Sequence, residues 1–311
     1  MLTIIIPAYN HEKYVIEGLE AACSVDLPGT EIVIIDDGST DSTKLKVEQF
    51  LQDKGPENVT FLVKKNGGVV SSLNLGLEVA KTEFIYFVAS DDILCSAGIA
   101  ACVQQLKDKP SAMFCIGAGV SFTSDAPEVK KTIYNKLHEQ FFSMSASSRE
   151  SALYLNYPQP ILLQSTVFRR TGLNEVGGWD QRITLDDYSM FIKMFTRFPL
   201  LNRDFLYASD QVVVKYRQHD ANVHKNISRQ FFIINEMLSF LAPAKIYPKA
   251  LGKVLAMHFL GAVRLGRTAD GLALFKGVSV GAKVYFVYYL IFYISGFLLR
   301  SVSKLMRRLF G

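Results

Sequence analysis

Two acidic clusters in this chain of 311 residues carry the side chains best suited to chemistry. Ser90-Asp91-Asp92 follows the apolar run Phe84-Ile85-Tyr86-Phe87-Val88. Adjacent carboxylates at the end of a buried strand repel one another and lose hydration, a cost that a bound cation offsets. Oxygen ligands favour Mg²⁺ or Mn²⁺ over zinc, and such an ion can bridge two phosphates and neutralise a departing diphosphate. The second cluster, Asp36-Asp37-Gly38-Ser39-Thr40-Asp41, pairs with Pro7-Ala8-Tyr9-Asn10 near the start of the chain. Here a flat base can pack against Tyr9 while Asp37 accepts an N–H from a uracil-like or guanine-like base. Both clusters also have the residue types of a turn and helix cap, and that reading stands beside the functional one.

These residues need elements that bring them to one place. Short β-branched runs at 3–6, 31–35, 59–63 and 84–88 alternate with helical patterns at 11–23, 42–54 and 69–80. That alternation predicts an α/β fold with a mostly parallel sheet, and both acidic clusters then fall at the strands' carboxyl ends, where such sheets bind ligands. Further along, a helix is expected at 96–106, strands at 113–122, 164–170 and 207–216, and helices at 171–176 and 186–195. The polar, poorly periodic stretch 123–148 is expected to be a mobile connection. Past 228 the pattern turns helical, at 229–241, 248–265 and 269–278.

With hydrophobic residues at 49%, the chain can bury a substantial core, and a net charge of +5 gives no case for nucleic acid. Cys23, Cys95, Cys102 and Cys115 lack zinc-ligand spacing, so reduced thiols in a cytoplasmic compartment are expected. The opening residues lack the basic start and cleavage site of a signal peptide. Near the other end, 284–299 is uncharged and apolar, and a basic amphipathic pattern with Arg300, Lys304, Arg307 and Arg308 follows. As a helix that run covers about 24 Å, less than the roughly 30 Å of a hydrocarbon core, so an interfacial segment fits at least as well as a span. The alternative is a helix docked on the catalytic domain or on a second copy.

The order and separation of Ile6-Pro7-Ala8-Tyr9-Asn10, Asp36-Asp37-Gly38-Ser39-Thr40-Asp41, Asn66-Gly67-Gly68 with Asn74, and Ser90-Asp91-Asp92 resemble family 2 glycosyltransferases of the GT-A fold. The resemblance is strong over about the first 95 residues and looser to about 225. It implies an inverting enzyme that moves one sugar from a nucleotide-diphosphate sugar to a saccharide hydroxyl. By the same resemblance Pro7, Ala8, Tyr9, Asp37, Gly68 and Asn74 would serve the nucleotide, Asp91 the ribose or diphosphate, and Asp92 the metal. Leu73 stands where many relatives have Arg, which leaves that contact absent or supplied by Lys64 or Lys65. Val176-Gly177-Gly178-Trp179-Asp180 and Leu185-Asp186-Asp187-Tyr188 look like the family's acceptor side.

There Asp187, with Asp186 as its competitor, would take the proton of the attacking hydroxyl, an effect typically worth about 10² to 10⁴ in rate. Trp179 would offer a platform for a sugar ring or belong to the core. Tyr216-Arg217-Gln218-His219 is similar to a late element of many relatives, where His219 would ligate the metal or neutralise the leaving group, or serve the structure alone. His11, His138, His224 and His258 are read as structural or solvated. No Gln-x-x-Arg-Trp element of processive relatives is present, so transfer of one sugar per encounter is expected.

The expected organisation is a catalytic domain over 1–225, a helical appendage over 226–282 and a membrane-associating segment over 283–311. That arrangement suits a polyprenyl-linked saccharide acceptor at the inner face of the cell membrane. Two other classes use related chemistry. A sugar-nucleotide nucleotidyltransferase would carry a Gly-rich basic loop after the first strand, and an inactive sugar- or partner-binding protein on the same fold would lack turnover. A dehydrogenase is disfavoured because no Gly-x-Gly-x-x-Gly follows that strand.

Overall fold

The structure is a computed structural model; it describes residues 1–55, 57–124, 126–218 and 227–310, with side chains for all of these except 126, 127, 129, 130 and 297–310. The chain divides into two compact units, one formed by Met1–Glu150 with Tyr157–Asn222 and the other by Ser151–Asn156 with Val223–Gly311.

The first unit begins with β1 (Leu2–Ala8), α1 (Val15–Cys23), β2 (Glu31–Asp36), α2 (Thr43–Lys54), β3 (Val59–Val63), α3 (Val69–Val79) and β4 (Phe84–Phe87). β1 and β4 are buried on both faces, as apolar strands between helical layers must be. The parallel pairs β1–β2, β1–β4 and β2–β3 set the strand ends level, so that Ala8 lies opposite Asp36 and Asp36 opposite Val63. Helix α1 begins at Val15, later than its periodicity predicts, and the residues before it form a turn in which the Tyr14 and Val15 N–H groups both donate to the His11 carbonyl at 2.9 Å.

Then come β5 (Ile93–Leu94), α4 (Ser96–Asp108), β6 (Phe114–Thr123), β7 (Ala126–Thr132), α5 (Lys136–Phe142), α6 (Ala146–Leu155), a short 3₁₀ turn (Leu163–Ser165), β8 (Thr166–Arg169), α7 (Arg170–Glu175), α8 (Asp186–Arg197) and β9 (Phe205–Gln218). Among the described residues nine strands form one mixed sheet of order β3-β2-β1-β4-β8-β6-β9-β5, with β7 beside β6. β8 runs antiparallel to both β4 and β6. This is the GT-A arrangement that the resemblance implies.

The stretch 123–148 corrects the expectation of a mobile connection. β7 pairs antiparallel with β6, and α5 is closed by Asn135, whose side chain accepts the Leu137 N–H at 2.9 Å. That helix buries His138, Phe141 and Phe142, with His138 Nε2 3.0 Å from the Pro160 carbonyl oxygen. Polar residues along the sequence of an edge hairpin hide its period, and a His at the third helical position is a weak capping signal.

The second unit contains α9 (Ile227–Leu241), α10 (Tyr247–Arg264), α11 (Thr268–Ala273) and α12 (Val280–Phe310). Phe231, Leu251, Leu255, Ala282 and Phe286 form its core. Val284, Val287, Tyr288 and Ile291 recur at helical spacing on the outer side of α12 and stay exposed. Among the described residues no helix is long and apolar enough to cross a membrane.

Candidate active site

The donor side is assembled at the ends of β1, β2 and β4. The Asp37 N–H donates to the Ala8 carbonyl at 2.9 Å, which seats Asp37 between two strand ends with its side chain nearly buried. Its Oδ1 accepts from the Gly67 N–H at 2.9 Å and from the Lys64 ammonium. Lys64 is therefore committed to Asp37, while Leu73 is buried in the core. Tyr9 is 44% exposed, so its ring face is available for a flat partner. Gly68 opens α3 at φ 82°, and nothing lies within 4 Å of where its Cβ would stand, which leaves open space beside that turn.

The turn after β4 places Ser90, Asp91 and Asp92 together. Asp92 is 1% exposed; its Oδ1 accepts the Arg217 N–H at 2.8 Å and its Oδ2 accepts from Gln164 Nε2 at 3.2 Å. Burial first, and then the Asp91 charge, push the Asp92 carboxyl up to about 8, although the Arg217 and Gln164 hydrogen bonds act the other way. Asp91 is more accessible and lies 3.9 Å from His11 Nδ1, which is 2.7 Å from Ser90 Oγ.

A nearby cation would reverse the penalty on Asp92, and hard carboxylate oxygens suit Mg²⁺ or Mn²⁺. Among the described residues no group of three His, Cys, Asp or Glu side chains gathers as a metal cage. The fit is therefore to an ion that takes one or two carboxylates and completes its shell with phosphates and water. His219 lies outside the described residues.

On the other side, Asp186 and Asp187 open α8. Both keep a little accessible surface but are closely surrounded by protein. Burial raises the Asp187 carboxyl well above the usual range, and the Asp186 and Asp92 charges add to it. Asp186 is raised too, chiefly by burial, but hydrogen bonds from the backbone of Asp187 and Asp186 lower it, as suits a carboxylate in the first turn of a helix. Asp187 Oδ1 instead accepts the Leu163 N–H at 3.2 Å. The 3₁₀ turn thus touches both sides through adjacent residues, Leu163 to Asp187 and Gln164 to Asp92.

Trp179 takes one of its two expected places, and the donor-side expectation for Asn74 changes. Trp179 is buried, with its ring 5.0 Å from Phe87 and its Nε1–H donating to the Asp186 carbonyl at 3.2 Å, so it belongs to the core and offers no sugar platform. Asn74 spends its amide on Trp179: Nδ2 donates to the Trp179 carbonyl and Oδ1 accepts the Trp179 N–H, both at 2.9 Å. It ties the Gly177-Gly178-Trp179 loop to α3, rather than offering that amide to a nucleotide.

Three residues outside the sequence-based site set belong to this constellation: His11, Gln164 and Arg217. Arg217 is 5% exposed and donates from Nε to the Asp91 carbonyl at 2.7 Å, from Nη1 to Ser124 Oγ at 3.0 Å and from Nη2 to Glu17 Oε2 at 2.5 Å. Its guanidinium also stacks over Phe122 and Tyr14. It is thus a brace behind the Asp91-Asp92 turn. A signal was available for Gln164 alone, since an amide side chain within the apolar run Ile161-Leu162-Leu163 to Val167-Phe168 requires a buried partner.

Comparison with known proteins gives the following. Residues 3–172 match the family described as glycosyl transferase family 2. A glycosyltransferase, GlyG of Streptococcus pneumoniae, is 33% identical over 109 residues, which is 35% of this chain and 36% of GlyG. TarS of Staphylococcus aureus, a poly(ribitol-phosphate) β-N-acetylglucosaminyltransferase, is 34% identical over 138 residues, 41% of this chain and 24% of TarS. The chain thus matches only about a third and a quarter of these relatives' lengths. The structure of S. aureus TarS 1–349 with UDP-GlcNAc superposes with a TM-score of 0.57 at 17% identity, covering 91% of this chain and 83% of that one. The mannosyltransferase PcManGT of Pyrobaculum calidifontis, with GDP-Man and Mn²⁺, gives 0.54 at 19% identity, covering 93% and 84%.

Proposed function

The chain belongs to glycosyl transferase family 2, and from that premise we propose that it is an inverting, metal-dependent glycosyltransferase that moves one sugar from a nucleotide-diphosphate sugar to a saccharide hydroxyl. The observation that carries this reading is the 3₁₀ turn through which Leu163 holds Asp187 and Gln164 holds Asp92. It joins a candidate metal carboxylate to a candidate base.

In this reading the catalytic domain spans 1–225. Pro7, Ala8, Tyr9 and Asp37 hold the nucleoside, Gly68 and Asp91 border the ribose and diphosphate, and Asp92 holds Mg²⁺ or Mn²⁺. The ion, when bound, neutralises charge on the departing diphosphate. Asp187 accepts the proton of the acceptor hydroxyl as that oxygen bonds to the anomeric carbon and the bond to the diphosphate oxygen breaks. Once ionised, a carboxylate held above its usual range is a stronger base than an exposed one. Asp186, engaged with the helix backbone, is the weaker candidate.

The acceptor we favour is a polyprenyl-linked saccharide in cell-surface glycan biosynthesis, met at the cytoplasmic face of the membrane through α12. The exposed apolar row of Val284, Val287, Tyr288 and Ile291 supports this. Deleting 283–311 is expected to release the protein from membranes in fractionation, and undiminished membrane binding would remove this part.

A panel of nucleotide sugars tested by thermal stabilisation with Mn²⁺ examines the donor reading. A true donor at a hundred times its dissociation constant adds about 2.7 kcal/mol. Stabilisation together with Mn²⁺-dependent release of nucleoside diphosphate separates an enzyme from an inactive binding protein on the same fold.

A further inference from the structure

From the hydrogen bonding of Asp37, we propose that the donor carries a uracil-type base rather than guanine, a conclusion that rests on the glycosyltransferase reading above. The fold alone does not decide this, because UDP-GlcNAc and GDP-Man each accompany a structure of this shape. The chemistry at Asp37 does. Its Oδ1 is taken by the Gly67 N–H and the Lys64 ammonium, and among the described residues no hydrogen bond reaches Oδ2. One carboxylate oxygen is thus left for the base.

Guanine presents adjacent donors, N1–H and the 2-amino group, which a carboxylate satisfies with both oxygens. Uracil presents a single donor, N3–H, between two carbonyl acceptors. Asp37 Oδ2 can accept that one N–H, and the Lys64 ammonium beside it is a donor that suits a flanking carbonyl. A guanine 2-amino group would meet the same ammonium donor to donor. Cytosine fails for the opposite reason, since its N3 is an acceptor facing a carboxylate.

The arrangement is built into the strand ends. The Lys64 N–H donates to the Asp36 carbonyl at 3.0 Å, continuing the β2–β3 pairing, and Lys64 Nζ also donates to the Lys65 carbonyl at 3.2 Å. Gly38, at φ 70°, lets the two loops close: a Cβ there would stand 2.8 Å from the Asn66 nitrogen. Lys64 is thereby held against Asp37 from a neighbouring strand.

The test is calorimetric titration of the full chain with UDP, GDP and CDP at saturating Mn²⁺. UDP is expected to bind at least about tenfold more tightly than either of the others, the scale of a base-specific hydrogen-bond mismatch. In Lys64→Met the preference for UDP over GDP should shrink several-fold, because the donor that opposes the 2-amino group is gone. GDP binding as tightly as UDP in the wild type, or an unchanged ratio in Lys64→Met, would overturn the base assignment and leave the transferase reading standing. Failure of all three nucleotides to bind would overturn both.

Discussion

The two sides of the site are built differently. The donor side comes from consecutive strand–turn–helix units, so Asp37, Asp91 and Asp92 are positioned by neighbours in sequence and by level strand ends. The join between the sides is held at long range: Gln164 reaches Asp92 across 72 positions, the Arg217 N–H reaches it across 125, and Asn74 reaches the Trp179 carbonyl across 105. The Asp37 pocket is therefore robust to distant change, whereas alignment of Asp187 with Asp92 depends on a few bridging contacts. That contrast can be broken at several points.

The largest effect is expected from Asp92→Asn. The amide oxygen can still accept the Arg217 N–H, so the fold should persist, while the loss of charge removes the carboxylate for the ion. Transfer should fall by about 10² to 10³ or more, as measured by nucleoside diphosphate release across a Mn²⁺ titration. Retained transfer with unchanged Mn²⁺ dependence would remove Asp92 from the metal site.

Arg217→Met comes next, with a loss of about ten- to a hundredfold expected because the Asp91-Asp92 turn loses its brace while every reacting group remains. The Mn²⁺ requirement should rise along with the loss in turnover. Arg217→Lys restores one charge but not the fork, so only partial recovery is expected.

A smaller and different effect is expected at Trp179. If it is core, Trp179→Phe lowers stability by about 1–3 kcal/mol in denaturant unfolding and leaves the acceptor KM nearly unchanged. A raised acceptor KM with unchanged stability would return it to the role of a sugar platform.

Legibility in the sequence follows the same division. Strands β1 to β4 were readable because buried β-branched runs have no helical period, and the acidic turns were readable because carboxylates end those runs. The hairpin strand β7 and helix α5 were not, since the first lies at an edge with polar residues and the second is a short helix recognised by its burial of Phe141 and Phe142. The brace at Arg217 and the amide at Gln164 acquire meaning only once β9 and the 3₁₀ turn are brought beside β4 by the antiparallel β8. Asn74 shows the converse, for its place in a donor-side motif gave no hint that Trp179 would occupy its amide.

The central claim is that Asp187 is the base facing a donor held by Asp92, and kinetics of Asp187→Asn against thermal stability test it most directly. Burial raises the Asp187 carboxyl, so its charge opposes folding as pH rises above the ordinary carboxylate range near 4. The account predicts that Asp187→Asn binds the nucleotide sugar as tightly as the wild type and loses transfer by about 10² to 10⁴. It also predicts a higher melting temperature for the variant, by a margin that is wider at pH 8 than at pH 5. A variant that retains wild-type transfer would contradict the account, whatever its stability.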